Sequence, residues 1–143
     1  MDFIKLYEEI ARMDNNSLKL TAGQAYKNYI NALSDNKIDP HDGLDTLFAI
    51  CSMFMFADGQ LHKEEVDFLN ELLDSQENIS DYTMMFLRYH RSGFDNTRTY
   101  IRNFLRICPD ASEHLARVAL CILFCDHELL PEELGTFDSL FFA

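Results

Sequence analysis

The sequence is short of basic residues, glycine, proline and long apolar runs. Lys and Arg number 12 against 24 Asp and Glu, giving a formal charge of −12. Binding along a nucleic-acid backbone needs surplus Lys and Arg to neutralise phosphate, so no nucleic-acid partner is expected. The same deficit disfavours an anionic membrane surface. Five Gly and three Pro are too few for a sandwich built from many tight turns. The longest apolar stretch, Leu47 to Ala57, is broken by Ser52 and is about half a membrane span. Residues 1–9 carry neither a basic segment nor an apolar one of the secretory kind, so a cytoplasmic location without a membrane partner is the expectation. The four cysteines are then expected to be reduced rather than paired. By the same logic the glycosylation-like triplets at Asn15 and Asn78 are chance matches.

What is present is apolar and helical. Apolar residues form 48% of the chain and twelve residues are Phe, which excludes intrinsic disorder. A chain of 143 residues fits one domain and buries enough surface to fold without a disulfide or metal. Leu18, Ala22, Ala25, Tyr26, Tyr29, Ile30 and Leu33 recur at intervals of three and four, the signature of one helix face. The same spacing links Phe3 to Ile10, Leu44 to Met55, Val66 to Leu73, Ile79 to Tyr89, Ile101 to Cys108, Leu115 to Ile122 and Leu134 to Phe141. Asp14 to Ser17 supplies a turn and cap, Asp39 to Gly43 reads as a break, and Asp58-Gly59 ends a helix. Pro131 reads as the first residue of the last helix, where its missing N–H costs nothing. The chain is therefore expected to be one all-α domain over 1–143, a bundle of seven to eight helices.

A shift of 68 residues lays Phe56-Ala57-Asp58-Gly59-Gln60-Leu61-His62-Lys63-Glu64-Glu65 on Phe124-Cys125-Asp126-His127-Glu128-Leu129-Leu130-Pro131-Glu132-Glu133. Phe, Asp, Leu, Glu and Glu coincide. Two copies of one helix hairpin, 44–73 and 112–141, follow from that match. Asp58 and Asp126 fall at helix C-termini, whose partial negative charge disfavours acids there. Two readings of this placement stay open. The carboxylates cap the next helix locally, or Asp58, Glu65, Asp126 and Glu133 converge as oxygen ligands for Ca²⁺, Mg²⁺ or Mn²⁺. The segment is not an EF-hand, since the loop after Asp58 lacks alternating Asp and Asn.

The run Ala57-Asp58-Gly59-Gln60-Leu61 with Glu64-Glu65, followed by the weaker Asp126, Leu129 and Glu133, resembles the TerB-like family, named for bacterial tellurite-resistance proteins. The likeness covers about residues 40–143; residues 1–39 match only as generic helices. It implies an all-helical domain of seven or eight helices with an acidic cluster, a link to tellurite and other chemical stress, and metal binding by those acids. Related domains also occur as modules of larger proteins, including a DnaJ-type co-chaperone. Carried across, the implied metal-binding residues are Asp58, Glu65, Asp126 and Glu133. The departures are His127 where the first copy has Gly59, and His62 or Leu130 where Ser or Thr would cap better.

Other patterns carry less. Arg88, Arg91, Arg98, Arg102 and Arg106 face only Asp95 between residues 88 and 106, a local charge of +4 that leaves −16 on the rest. Arg98, Arg102 and Arg106 recur every four residues opposite Ile101, Phe104 and Leu105. They read as an exposed stripe, either solvated and paired with nearby acids or a protein-partner surface, with Tyr89 and Tyr100 nearby. His114, Cys121 and Cys125 have spacing for one helix face, but the surrounding apolar run favours cysteine as core over zinc ligation. No nucleophile motif, phosphate-binding glycine loop or HExxH occurs, so a non-enzyme is expected.

Overall fold

The computed structural model describes residues 3–55, 61–125 and 131–142. It contains α1 (Phe3–Ala11), α2 (Asn15–Asp35), α3 (Pro40–Met55), α4 (Lys63–Leu73), α5 (Ile79–Ser92), α6 (Phe94–Ile107), a short 3₁₀ turn (Pro109–Ala111), α7 (Ser112–Leu123) and α8 (Pro131–Phe142). Among the described residues there is no strand, and the all-α expectation holds.

Local chemistry sets the helix starts. The Asp14 carboxylate accepts the Ser17 N–H at 2.8 Å and opens α2. That bond holds the Asp14 carboxyl below the ordinary carboxylate range. Asn78 and Asp81 exchange side-chain-to-backbone bonds of 2.9 Å and open α5. Gly93, at φ 90°, turns the chain between α5 and α6 in one residue, a conformation that favours glycine.

The expected break over Asp39–Gly43 is displaced. Pro40 is the first residue of α3, its missing N–H being one that has no partner within the helix. The Asp39 carboxylate accepts the His41 N–H at 2.9 Å. Gly43 therefore lies inside the helix, where it admits α2: the buried Tyr29 hydroxyl donates to the Gly43 carbonyl at 2.8 Å. A Cβ at 43 would overlap Leu33 Cδ1.

The core is organised around α7. Leu115, Ala116 and every residue from Val118 to Leu123 are buried, so this helix is apolar on nearly all sides, as an interior helix must be. α1, α2, α3 and α4 all pack against it. Buried alanines on α2 (Ala22, Ala25) and α7 (Ala116, Ala119) leave room for helices to lie close. α5 and α6 cover α3, where Phe48, Tyr82 and Phe86 form an aromatic cluster with centroid spacings of 5.7–6.3 Å.

The hairpin repeat is visible in the helix boundaries. α3 ends at Met55 and α7 at Leu123; α4 begins at Lys63 and α8 at Pro131, each pair separated by the 68-residue shift. Matched core positions follow, with Leu47 and Leu115, and Leu69 and Phe137, all buried. The hairpins touch: α3 packs on α7, and the Phe54 ring meets Phe137 of α8 at 5.7 Å.

Candidate functional site

Glu65 and Glu133 each occupy the third position of their helix, α4 and α8. Their environments differ. Glu65 is 1% exposed, whereas Glu133 is half-buried. The Glu65 Oε1 accepts the His62 N–H at 2.9 Å, so the carboxylate covers the backbone donor of the residue that precedes α4. The positive end of the α4 dipole favours the same charge. A carboxylate offers about four lone-pair directions, so this cap does not preclude a cation. Leu61, the expected inward leucine, is buried. Asp58 and Asp126 lie outside the described residues.

Cys51, on α3, shows where the two hairpins come together. It is fully buried, and burial pushes its thiol far up; the charge of Glu65 and then Cys125 act in the same direction. Glu65 opens α4, and Cys125 follows the end of α7. The beginning of one hairpin's second helix and the end of the other's first thus lie within electrostatic reach of one buried thiol. Sequence periodicity placed Cys51 on a core face but carried no sign of this role.

Among the described residues, no group of three or more His, Cys, Asp or Glu is arranged to hold a metal ion. Two of the four expected ligands are outside that set. For the zinc alternative, Cys121 is buried and its thiol is pushed up to about 12, chiefly by burial, which opposes the thiolate that zinc requires. His114 instead lines a polar groove of about 400 Å³ between α2 and α7, with Gln24, Asn28, Glu113 and Arg117. Arg117 there pairs with Glu9 at 3.0 Å and Glu113 at 3.8 Å.

The arginine stripe is not uniformly exposed. Arg106 is exposed, but Arg98 and Arg102 are half-buried. Arg102 Nη1 donates to the Ser139 carbonyl at 2.8 Å and so fastens α6 to α8. Periodicity read Arg102 as part of an exposed stripe and gave no hint that α8 lies against that side. Arg88 pairs with Asp45 at 3.7 Å and lies over the Tyr89 ring, 5.2 Å from its centroid.

A feature the sequence reading passed over is a groove between α2 and α4, beside the exposed Leu20. Leu20 stands off the Leu18, Ala22, Ala25 face, and that irregularity was the available signal. No helix among the described residues is long and apolar enough to cross a membrane. Comparisons with protein-family models, curated proteins and solved structures give no match for this chain.

Proposed function

We infer that the chain is a non-enzymatic, TerB-like binding module whose ligand is a divalent cation held between the two hairpin turns. Asp58 and Asp126 are the principal ligands in this reading, with Glu65 and Glu133 completing or ordering the site. The observation that carries it is Glu65, a carboxylate 1% exposed at the start of α4, a helix that packs on α7 of the other hairpin. An all-carboxylate donor set suits Ca²⁺, Mg²⁺ or Mn²⁺. The resemblance adds tellurite or chemical stress as the setting.

Thermal unfolding with each cation tests this reading. A ligand that binds only the folded chain, at one hundred times its Kd, stabilises it by about 2.7 kcal/mol. For a chain this long that is roughly 9 °C in Tm. Asp58→Asn with Asp126→Asn should abolish the rise while the helical signal survives. Absence of a shift with all three cations, or an unchanged response in the double variant, makes the acids structural.

The His62 to Glu65 bond favours a second reading, since capping alone accounts for a carboxylate at this position. The chain is then a metal-independent protein-interaction module, using its acidic surface or the Arg98 and Arg106 side of α6. Here a defined protein partner is lost on Arg98→Glu with Arg106→Glu and retained in the aspartate variant.

A further inference from the structure

α2 and α4 meet along a groove of about 230 Å³ lined by Lys19, Leu20, Gly23, Phe68, Glu71 and Leu72. Two of its residues have no evident use within one chain. Leu20 is 77% exposed. Gly23 sits in the interior of a 21-residue helix, where glycine weakens the helix relative to alanine. A Cβ at 23 would meet nothing within 4 Å, and its φ is not positive, so neither close approach nor backbone conformation within the chain calls for glycine.

The charge on the two walls is of opposite sign. The α2 side presents Lys19 and, two turns on, Lys27, with no carboxylate between residues 15 and 34. The α4 side presents Glu64, Asp67 and Glu71, all exposed and spaced along one face; Lys63 pairs with Asp67 at 3.8 Å, so this wall keeps a net charge of about −2. Lys19 and Glu71 already reach each other across the groove at 2.9 Å, so their heights match.

The geometry points to a symmetric homodimer in which α2 of each copy lies along α4 of the other. A two-fold axis through the groove sets the lysine wall against the carboxylate wall twice. It also lays Leu20, the knob, into the other copy's groove, over Phe68 and Leu72, where the side chain missing at Gly23 leaves the groove open. Knob and groove on one surface are what a self-complementary two-fold interface requires. Lys19 and Glu71 exchange their partner within the chain for the equivalent partner in the other copy. The lysine wall also brings two chains of charge −12 together on a side where α2 carries no acid between 15 and 34.

Sedimentation equilibrium of the full chain from about 1 to 500 µM, a range covering micromolar association, tests the dimer. The wild type should pass from monomer to dimer. Leu20→Asp should remain monomeric. Gly23→Gln should also remain monomeric, with its Tm as monomer undiminished, because the groove at 23 is open within the chain. Lys19→Glu and Glu71→Lys should each weaken association roughly tenfold or more, through like charges brought opposite each other. An equimolar mixture of these two variants should regain it, because both rim pairs are again complementary in the mixed dimer and only there. A wild type monomeric throughout, a dimer that survives Leu20→Asp, or a mixture no stronger than its components would overturn the proposal.

Discussion

Consider replacing Gly43 by alanine, with Gly135→Ala as its control. Both glycines lie inside helices, α3 and α8. On propensity alone each change should stabilise by about 0.8–1 kcal/mol, since alanine loses less backbone entropy on folding. The surroundings separate them. A Cβ at 135 meets nothing within 4 Å, so Gly135→Ala should keep the full gain. With unfolding entropy near 2.1 cal/mol/K per residue, 1 kcal/mol is about 3 °C for a chain of this length. Gly135→Ala should therefore raise Tm by about 3 °C. At 43 the new methyl overlaps Leu33 Cδ1 and lies 3.3 Å from the Tyr29 hydroxyl oxygen. Leu33 and Tyr29 are both 0% exposed, so neither has room to withdraw. Overpacking of this kind costs about 1–3 kcal/mol. Displacing the Tyr29 hydroxyl from the Gly43 carbonyl forfeits about 1 kcal/mol more. Net of the propensity gain, Gly43→Ala should destabilise by about 1–3 kcal/mol, or roughly 3–9 °C. Thermal unfolding followed by circular dichroism measures both changes. Leu33→Val removes the δ carbon in question, so in a double-mutant cycle it should recover about 1 kcal/mol of the Gly43→Ala loss. A Tm that rises in Gly43→Ala, or strict additivity with Leu33→Val, refutes the steric argument.

Two further outcomes follow from buried or tethering groups. Burial raises the Cys121 thiol to about 12 in the folded chain, whereas it ionises near 8.5 when unfolded. Between those values the folded state holds the extra proton, so stability should be level below pH 8 and fall as pH rises above about 8.5. Urea unfolding from pH 7 to 10 should show a shallower fall in Cys121→Ala; an identical slope would count against the assignment. Arg102→Ala should remove the bond to Ser139 and cost about 1 kcal/mol, the donor being charged but half exposed. Hydrogen exchange should speed up in the last turns of α8 more than in α1, and equal protection in variant and wild type would remove the tether.

Much of this fold was legible because a buried helix face repeats at intervals that one line of sequence preserves. Of the faces read on α2, α5 and α6, Leu18, Ala22, Ala25, Tyr29, Leu33, Tyr82, Phe86, Ile101, Phe104, Leu105 and Cys108 are buried, Tyr26, Ile30 and Tyr89 are half-buried, and Ile79, in the first turn of α5, is exposed. The hairpin repeat was legible for a similar reason, since both copies keep the same spacing across their turns. What could not be read depends on which helix comes to lie beside which. Gly43 looked like a breaker because nothing in its neighbours shows that Tyr29, fourteen residues earlier, will bond to its carbonyl. Arg102 looked solvated because α8, which receives it, begins 29 residues later. Of the candidate site, the repeat pointed to Glu65 and Glu133 as equivalents. It did not foretell that only the first would be fully buried, because burial is set by the neighbouring helices rather than by the motif.

The central place of α7 has a consequence for how the chain is made. The helix against which α1, α2, α3 and α4 all lean is synthesised after every one of them. α2 is complete at Asp35, but its partner is complete only at Leu123. At about 5–20 residues per second, the interval is roughly 4–18 s. Throughout it the nascent α2 face of Leu18, Ala22, Ala25, Tyr29 and Leu33 lacks its main cover. α3 arrives first, and the Tyr29 to Gly43 bond lets it shield one end of that face. While the chain is on the ribosome, that face is left for α3 to cover in part, and a holdase chaperone would find its binding surface on the rest.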